Sequence, residues 1–366
     1  STKIMPHNFV ELIDASISIL RGRGMKVYPD FPTGGIADFS QYNDGQRGGK
    51  IKVRARIEQV DAKLLKITEV PFATTTSSLI DSIVRANEKG KIKIKKIEDN
   101  TAEFVEILIH LPPGVSPDKT IDALYAFSDC EISISPNACI IKNDKPYFMS
   151  VSDILKQSTA HTLDLLKAEL EILLSEQQAL WHFASLERIF IENKIYRDIE
   201  ECETWEAVIE AIRKGLQPHI KHLKEPVTEE DIVRLTEIKI KRISKFDLDK
   251  ANENLKRIED NIAELIDKLA NLVDYAIEYF KGLKKKYKEG RTRKTEIRTF
   301  ETIVASKVAI RNQKLYFNKE EGFIGTSLRK DEFVCECSDI DNVIVFRSDG
   351  KMMVTKVASK TFVGKG

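Results

Sequence analysis

The spacing of apolar and polar positions changes character twice along this chain. Up to about residue 150 it is mixed. A helix is expected from Asn8 to Leu20, because Asn8 and Glu11 have the spacing of a capping box ahead of an apolar run. Ile51 to Glu58 then alternates. Ile51, Val53, Ala55 and Ile57 fall on one side and Lys50, Lys52, Arg54 and Arg56 on the other, the pattern of a strand with one apolar and one basic face. Lys91 to Lys95 repeats this on a shorter scale, with Ile92 and Ile94 opposite Lys91, Lys93 and Lys95. Between them Ser77 to Lys89, carrying Leu79, Ile80, Ile83 and Val84, reads as a helix. Phe104 to Leu111 and Glu131 to Ile141 read as further strands.

From about residue 150 the period is that of long helices. Leu163, Leu166, Leu170, Leu173, Gln177, Leu180 and Ala184 follow the 3-4 spacing of a coiled-coil seam, roughly 30 Å of helix. A second seam runs through Leu255, Ile258, Ile262, Leu265, Leu269, Leu272, Ala276, Tyr279 and Leu283. The residues between, 190 to 247, are enough for a small helical knob that turns the chain round, so the two seams are expected to pack antiparallel as a stalk with a head. After a basic linker, Lys281 to Arg298, short strands return at Val304 to Ile310, Gln313 to Asn318, Phe333 to Cys337, Asn342 to Arg347 and Met352 to Val357. Ser348-Asp349-Gly350 is the clearest hairpin turn. The whole is a multi-domain α+β chain: a mixed α/β part, a long antiparallel coiled coil with a helical knob, and a partial all-β blade.

Composition narrows the function less than the pattern does. With 58 Lys and Arg against 57 Asp and Glu the net charge is +1, so any case for nucleic acid must come from local clusters. One exists: Arg47, Lys50, Lys52, Arg54 and Arg56 fall within ten residues, with Asp44 and Glu58 as the neighbouring acids in sequence. Such a face is either plain solvated surface or a phosphate-binding one, and Gly45, Gly48 and Gly49 would let the backbone approach a phosphate closely. Lys91, Lys93, Lys95 and Lys96 form a second patch. The apolar runs are far shorter than the ~20 residues that cross a bilayer, and the five widely spread cysteines make no disulfide framework, so a reducing cytoplasm is expected and no membrane partner. His219-x-x-His222 and Cys335-x-Cys337 each lack two further ligands, so no metal is expected. No phosphate-cradling loop for ATP is apparent. The sequence opens at Ser1 without an initiator Met, and a cut from a longer chain is expected.

Five segments, in order, resemble the A subunit of the bacterial type IIA DNA topoisomerases, gyrase and topoisomerase IV. Ser1-Thr2-Lys3-Ile4-Met5-Pro6-His7-Asn8 is similar to the end of that family's winged-helix domain. Pro29-Asp30-Phe31-Pro32-Thr33-Gly34-Gly35 is similar to the loop opening its tower domain, and Arg47 to Arg56 to its basic strand. Thr228 to Asp247 resembles the exit-gate helix, and Arg293-Lys294-Thr295-Glu296-Ile297 the junction before the C-terminal β-pinwheel. The resemblance implies a division into 1–28, the end of the winged helix and start of the tower; 29–150, the DNA-binding α/β tower; 151–192, the outgoing coiled-coil helix; 193–247, the exit-gate knob; 248–290, the returning helix; and 291–366, linker and truncated first blade of the C-terminal β-pinwheel.

It also implies roles. Ile4, which alone reads as an ordinary core isoleucine, takes the place of the residue that wedges between base steps and bends the duplex. Ile232, Leu235, Ile238, Ile240 and Ile243, either the knob's own core or a surface, take the place of the gate where two copies meet. None of the nine tyrosines sits in the Arg-Tyr-Thr setting of the family's nucleophile, so strand cleavage is not expected of this segment alone. Gyrase carries a basic Gln-Arg-Arg-Gly-Gly-x-Gly loop in its first blade. Here the aligned stretch reads Lys319-Glu320-Glu321-Gly322-Phe323-Ile324-Gly325, keeping Gly322 and Gly325 but placing Glu320 and Glu321 where arginines would be, which favours topoisomerase IV. The implied partners are duplex DNA, a second copy, and the topoisomerase's B subunit, which would hold the ATP and Mg²⁺; the implied setting is the bacterial nucleoid. The competing reading is a coiled-coil scaffold whose basic faces are merely solvated.

Overall fold

The structure, a computed structural model, describes residues 2–244, 246–301, 303 and 309–365. The chain divides into two compact units, one of Ser1–Ala15, Gly24–Leu155 and Tyr287–Gly366, the other of Ser16–Arg23 and Lys156–Lys286. Among the described residues no helix is long and apolar enough to cross a membrane.

In the first unit, α1 (Phe9–Leu20) starts where the Asn8 side-chain oxygen accepts the N–H groups of Val10 and Glu11, at 2.9 and 3.2 Å. Asn8 caps the helix as its position predicts. β1 (Ile36–Gln41) and β2 (Lys50–Arg54) form an antiparallel pair, and β2 runs straight into β3 (Arg56–Asp61) with only Ala55 between. The alternation from Ile51 to Glu58 therefore covers two strands in two sheets. Ile51 and Val53 pack in one core with Phe31, Phe39 and Tyr42, while Ala55 and Ile57 pack in another with Leu65, Ile67 and Ile109. Period-2 alternation reports facing direction, and a change of partner at a buried alanine leaves it untouched.

The second sheet has the order β3–β4–β6–β5, with β4 (Leu64–Glu69), β5 (Lys96–Asp99) and β6 (Ile107–His110). It is covered by α2 (Thr76–Glu88) and α3 (Pro117–Phe127). Lys91 to Lys95 is not a strand. The Lys91 N–H closes the end of α2 on the Ala86 carbonyl and the Ile94 N–H donates to the Asn87 side chain, so most of this stretch finishes the helix, while the Lys95 N–H reaches the sheet at the His110 carbonyl (2.7 Å). Ile92 is still buried against both helices. The expected strand from Glu131 to Ile141 is likewise two. β7 (Glu131–Ile134) joins β2 on the far side from β1, and β8 (Cys139–Lys142) turns back as β9 (Lys145–Phe148) through Asn143 and Asp144, both at positive φ. That Asn-Asp pair is a two-residue hairpin signal.

β10 (Glu296–Ile297) returns parallel to β1 and completes the order β10–β1–β2–β7. The strand expected over Val304 to Ile310 lies largely outside the described residues. β11 (Gln313–Asn318), β12 (Phe323–Gly325), β13 (Glu332–Cys337) and β16 (Thr361–Phe362) make a sheet in the order β13–β11–β12–β16, and β14 (Asn342–Phe346) pairs β15 (Met352–Lys356) in a hairpin of its own.

The second unit is helical. α4 (Val151–Glu192) begins in the first unit and continues here alongside α8 (Leu248–Ala270), antiparallel. Asn261 donates to Gln177 (3.3 Å), Trp181 to Glu259 (2.8 Å) and Arg188 to Asn252 (2.9 Å). The seam departs from strict heptads. Leu166 and Leu170 are buried, but Leu173 and Leu180 are exposed and the covered positions pass to Leu174, Trp181 and Ser185. A straight helix drifts ~20° per heptad against a 3.5-residue repeat, and adjacent leucines at 173 and 174 let the contact move over. On the returning side Leu255, Ile258 and Ile262 are buried as expected. The helix then breaks at Asn271, and α9 (Leu272–Tyr287) buries Ala276, Ile277 and Phe280 while Tyr279 is exposed.

The end of α4 gathers α5 (Trp205–Leu216), α6 (Glu229–Thr236) and α7 (Ile240–Ser244) around Leu186, Phe190, Ile212 and Leu216.

Candidate nucleic-acid interface

The basic cluster is split by what its members meet. Glu131, on the neighbouring strand β7, lies 3.3 Å from Lys52 and accepts the Arg54 Nε–H at 2.7 Å. The Arg54 guanidinium also sits 4.1 Å from the Phe300 ring centroid and 4.6 Å from that of Tyr125, leaving the side chain only 13% exposed. Arg56 bonds Glu69 and Glu296, each at 3.0 Å. These three cations hold the sheet together. Arg47 and Lys50 are exposed, and among the described residues no carboxylate engages either. The free charge is therefore at the entry to β2, where it can meet phosphate, and the far end of the cluster is neutralised by acids that only the fold brings near. Arg54→Ala is expected to lower the melting temperature, because it leaves Glu131 short of a donor and two rings unstacked. Lys50→Ala is expected to leave it unchanged, and differential scanning fluorimetry of the two variants separates these roles.

The glycines divide similarly. A Cβ at Gly49 would lie 2.2 Å from the Tyr42 carbonyl oxygen, so that glycine serves close packing within the chain; Gly45 abuts Val151. Gly48, at φ +91°, has open space about it and is the position a phosphate could approach.

Behind this edge, three of the segments that carry the resemblance meet. Arg293 donates to both Glu11 carboxylate oxygens (2.6 and 2.5 Å) and to the carbonyls of Tyr28 and Pro29 (both 2.9 Å). Asp30 accepts the N–H groups of Lys294 (3.0 Å) and Thr295 (2.9 Å) and the Asn8 amide (3.0 Å), while the Phe31 N–H donates to Thr295 Oγ1 at 2.7 Å. Burial pushes the Asp30 carboxyl up, but the Thr295 N–H, the Asn8 amide, the Lys294 N–H and the Arg293 charge together hold it below the ordinary carboxylate value.

A depressed folded-state pKa contributes stability that is present above the unfolded value and lost as pH falls through the folded one. Asp30→Asn is thus expected to destabilise by about 1–3 kcal/mol at neutral pH, with the gap from the unaltered chain narrowing as pH falls below the ordinary carboxylate range. Urea melts at pH 7 and pH 3 measure this, and a gap that does not change with pH would contradict it.

Ile4 is 42% exposed, on a segment pinned by the backbone pair Lys3 and Asn137, whose N–H···O bonds measure 2.8 and 3.2 Å. Lys91 pairs with Asp339 at 3.0 Å and lies over the Phe127 ring; Lys93 and Lys95 are exposed. In the helical unit Ile232 and Leu235 are buried in the unit's own core, with Ile238 and Ile243 packed against it, and Ile240 stands out at 82% exposed. Glu320 and Glu321 are exposed in the turn between β11 and β12. Gly322 and Gly325 are packing glycines, where a Cβ would lie within 2.5 Å of Gly364 and 2.2 Å of Ser359 respectively.

Sequence reasoning missed Glu131, Tyr125 and Phe300, which lie some 70 to 250 residues from Arg54 and carry no local signal. It also missed the β8–β9 hairpin, which Asn143-Asp144 could have announced.

Comparison with known proteins bears on the whole chain. It is 38% identical to the A subunit of DNA topoisomerase 4 from Borreliella burgdorferi over 365 residues, all of this chain and 58% of that protein. It is 29% identical to the A subunit of DNA gyrase from Chlamydia pneumoniae over half of this chain and 24% of that protein. Its identity to the A subunit of DNA topoisomerase 4 from Staphylococcus epidermidis is 25%, over 59% of this chain and 26% of that protein. The match therefore covers little more than half the length of the Borreliella burgdorferi protein and about a quarter of each of the other two. A family model for the topoisomerase C-terminal domain of Bacteroidota matches residues 314–366, the segment from β11 to β16. The model for the A subunit of DNA gyrase/topoisomerase IV matches residues 1–281, about three quarters of the sequence, and the chain belongs to that family.

Proposed function

We propose that this chain is the DNA-binding, DNA-bending and exit-gate part of a type IIA topoisomerase A subunit of the topoisomerase IV kind, which passes one duplex through a double-strand break to relax and decatenate DNA. The observation that carries the reading is the match, along all of this chain, to the A subunit of a topoisomerase 4, joined to a basic edge whose Arg47 and Lys50 are unopposed. In this reading residues 29–150 are the tower, α4 with α8 and α9 the coiled-coil stalk, residues 193–247 the gate knob, and the sheet from β11 onward the start of a pinwheel blade. Exposed Ile4 wedges a base step, and the unstacking is offset by added contacts along the bent duplex.

The chain binds no ATP or metal itself. ATP and Mg²⁺ enter through the B subunit, and the tyrosine nucleophile lies outside these nine tyrosines' settings. Acidic Glu320 and Glu321 disfavour wrapping of DNA about the blade, which argues for topoisomerase IV over gyrase. The setting is the bacterial cytoplasm at the nucleoid.

Two measurements test this. A duplex labelled at both ends should show a gain in energy transfer when the 366-residue chain binds, and Ile4→Ala should abolish the gain while retaining binding; equal bending by both would remove the wedge. At the gate, Ile240→Asp should leave the helical circular dichroism unchanged, because the side chain is not packed in its own core, and convert a dimer to a monomer in sedimentation. A variant as dimeric as the unaltered chain would take Ile240 out of the gate.

A further inference from the structure

Among the described residues the β8–β9 hairpin pairs with no other strand, and a lone two-stranded hairpin is marginal in water. Its register puts Cys139 opposite Phe148 and Ile141 opposite Pro146 on one face, and Ile140 opposite Tyr147 and Lys142 opposite Lys145 on the other. Ile141 is 80% exposed and Phe148 65%, so an apolar face stands open. Lys142 and Lys145 face each other beside the turn, and among the described residues no ion pair engages them. The hairpin's root is bonded to the segment that bears Ile4. Lys3 pairs with Asn137, and the Cys139 N–H donates to Thr2 Oγ1 at 3.1 Å. The Ile4 segment and the hairpin are thereby tied together, with Ile141 and Phe148 on one face of the ribbon, Lys142 and Lys145 on the other, Lys3 at the root and Asp144 as the acid at the turn.

We infer that β8–β9 is a second duplex-contacting ribbon, lying along the DNA beside the step taken by Ile4. Lys142 and Lys145, on one face, would meet the phosphates of one groove wall, and Ile141 and Phe148, on the other face, the sugars of the facing wall. This rests on the duplex-binding reading above. The occupant follows from the charge: two facing lysines repel each other, and a polyanion relieves that while releasing counterions. β-Ribbons are used in the major or the minor groove by other DNA-binding folds, and apolar side chains inserted from the minor-groove side are an established way to hold a bent duplex.

The test uses the 366-residue chain and a 30-base-pair duplex, read by fluorescence anisotropy across a salt series. Lys142→Ala with Lys145→Ala should weaken binding on the order of tenfold or more and flatten the slope of log K against log salt by about 2, with no change in melting temperature, since both side chains are solvated. p-Benzoylphenylalanine placed at position 148 should crosslink to the duplex. An unchanged affinity and slope in a chain that does bind would overturn the ribbon and leave the rest of the interface standing, as would a crosslink to a second copy of the protein. Failure of the unaltered chain to bind at low salt would be failure of the duplex reading itself, and would overturn the ribbon with it.

Discussion

Arg293→Ala is expected to lower the unfolding free energy of the first unit by about 2–4 kcal/mol, and Lys294→Ala beside it to change stability by less than about 0.5. The asymmetry follows from what each side chain holds. Arg293 is largely enclosed and donates four hydrogen bonds, two to the Glu11 carboxylate in a fork and two to the carbonyls of Tyr28 and Pro29. Removing it strands one carboxylate and two carbonyls at once, and unmet partners cost more than a hydrogen bond gains. Partial exposure of Glu11 keeps the figure below that of a fully buried pair. Glu11→Gln should lose less, since the amide oxygen still accepts. Equilibrium urea unfolding of the three variants checks the ranking, and an Arg293→Ala variant as stable as Lys294→Ala would show that the junction is held by its backbone bonds alone.

The second large effect is on binding. Arg47→Ala with Lys50→Ala should weaken duplex affinity by on the order of 10- to 100-fold near 0.1 M salt, because each phosphate left without its cation retains about 0.9 counterion that binding would otherwise release. Arg54→Ala, by contrast, should lose affinity only to the extent that it unfolds, its guanidinium being committed to Glu131, Tyr125 and Phe300. Affinities at several salt concentrations, with folding monitored in parallel, distinguish the two classes. Equal and purely electrostatic losses from all three positions would mean that the ion pairs within the sheet open on binding.

The basic strand shows how far the sequence reaches. Alternation from Ile51 to Glu58 gave the facing of every side chain, yet it could not tell that Ala55 changes sheets, nor that Glu131 and Glu69 arrive to neutralise Arg54 and Arg56. Those are facts about which strands become neighbours, and local spacing does not encode them. Caps and turns with their own chemistry were plainer: Asn8 starts the helix where its position predicts, and β11 occupies the expected residues to the last one. The helical seams were legible as helices but not in register, because the 3.5-residue count cannot foresee a shift from Leu173 to Leu174 or a break at Asn271. Of the five expected gate residues, four have inward-facing work in the unit's own core, a distinction that composition alone could not draw.

Affinity across a salt series tests most directly the proposal that this chain grips duplex DNA through a small number of phosphate contacts. Titrating a 30-base-pair duplex with the unaltered 366-residue chain between 50 and 200 mM KCl should give a straight fall of log K with log salt, at a slope of several units and independent of base sequence. An absence of binding at 50 mM KCl, or a flat dependence on salt, would contradict it.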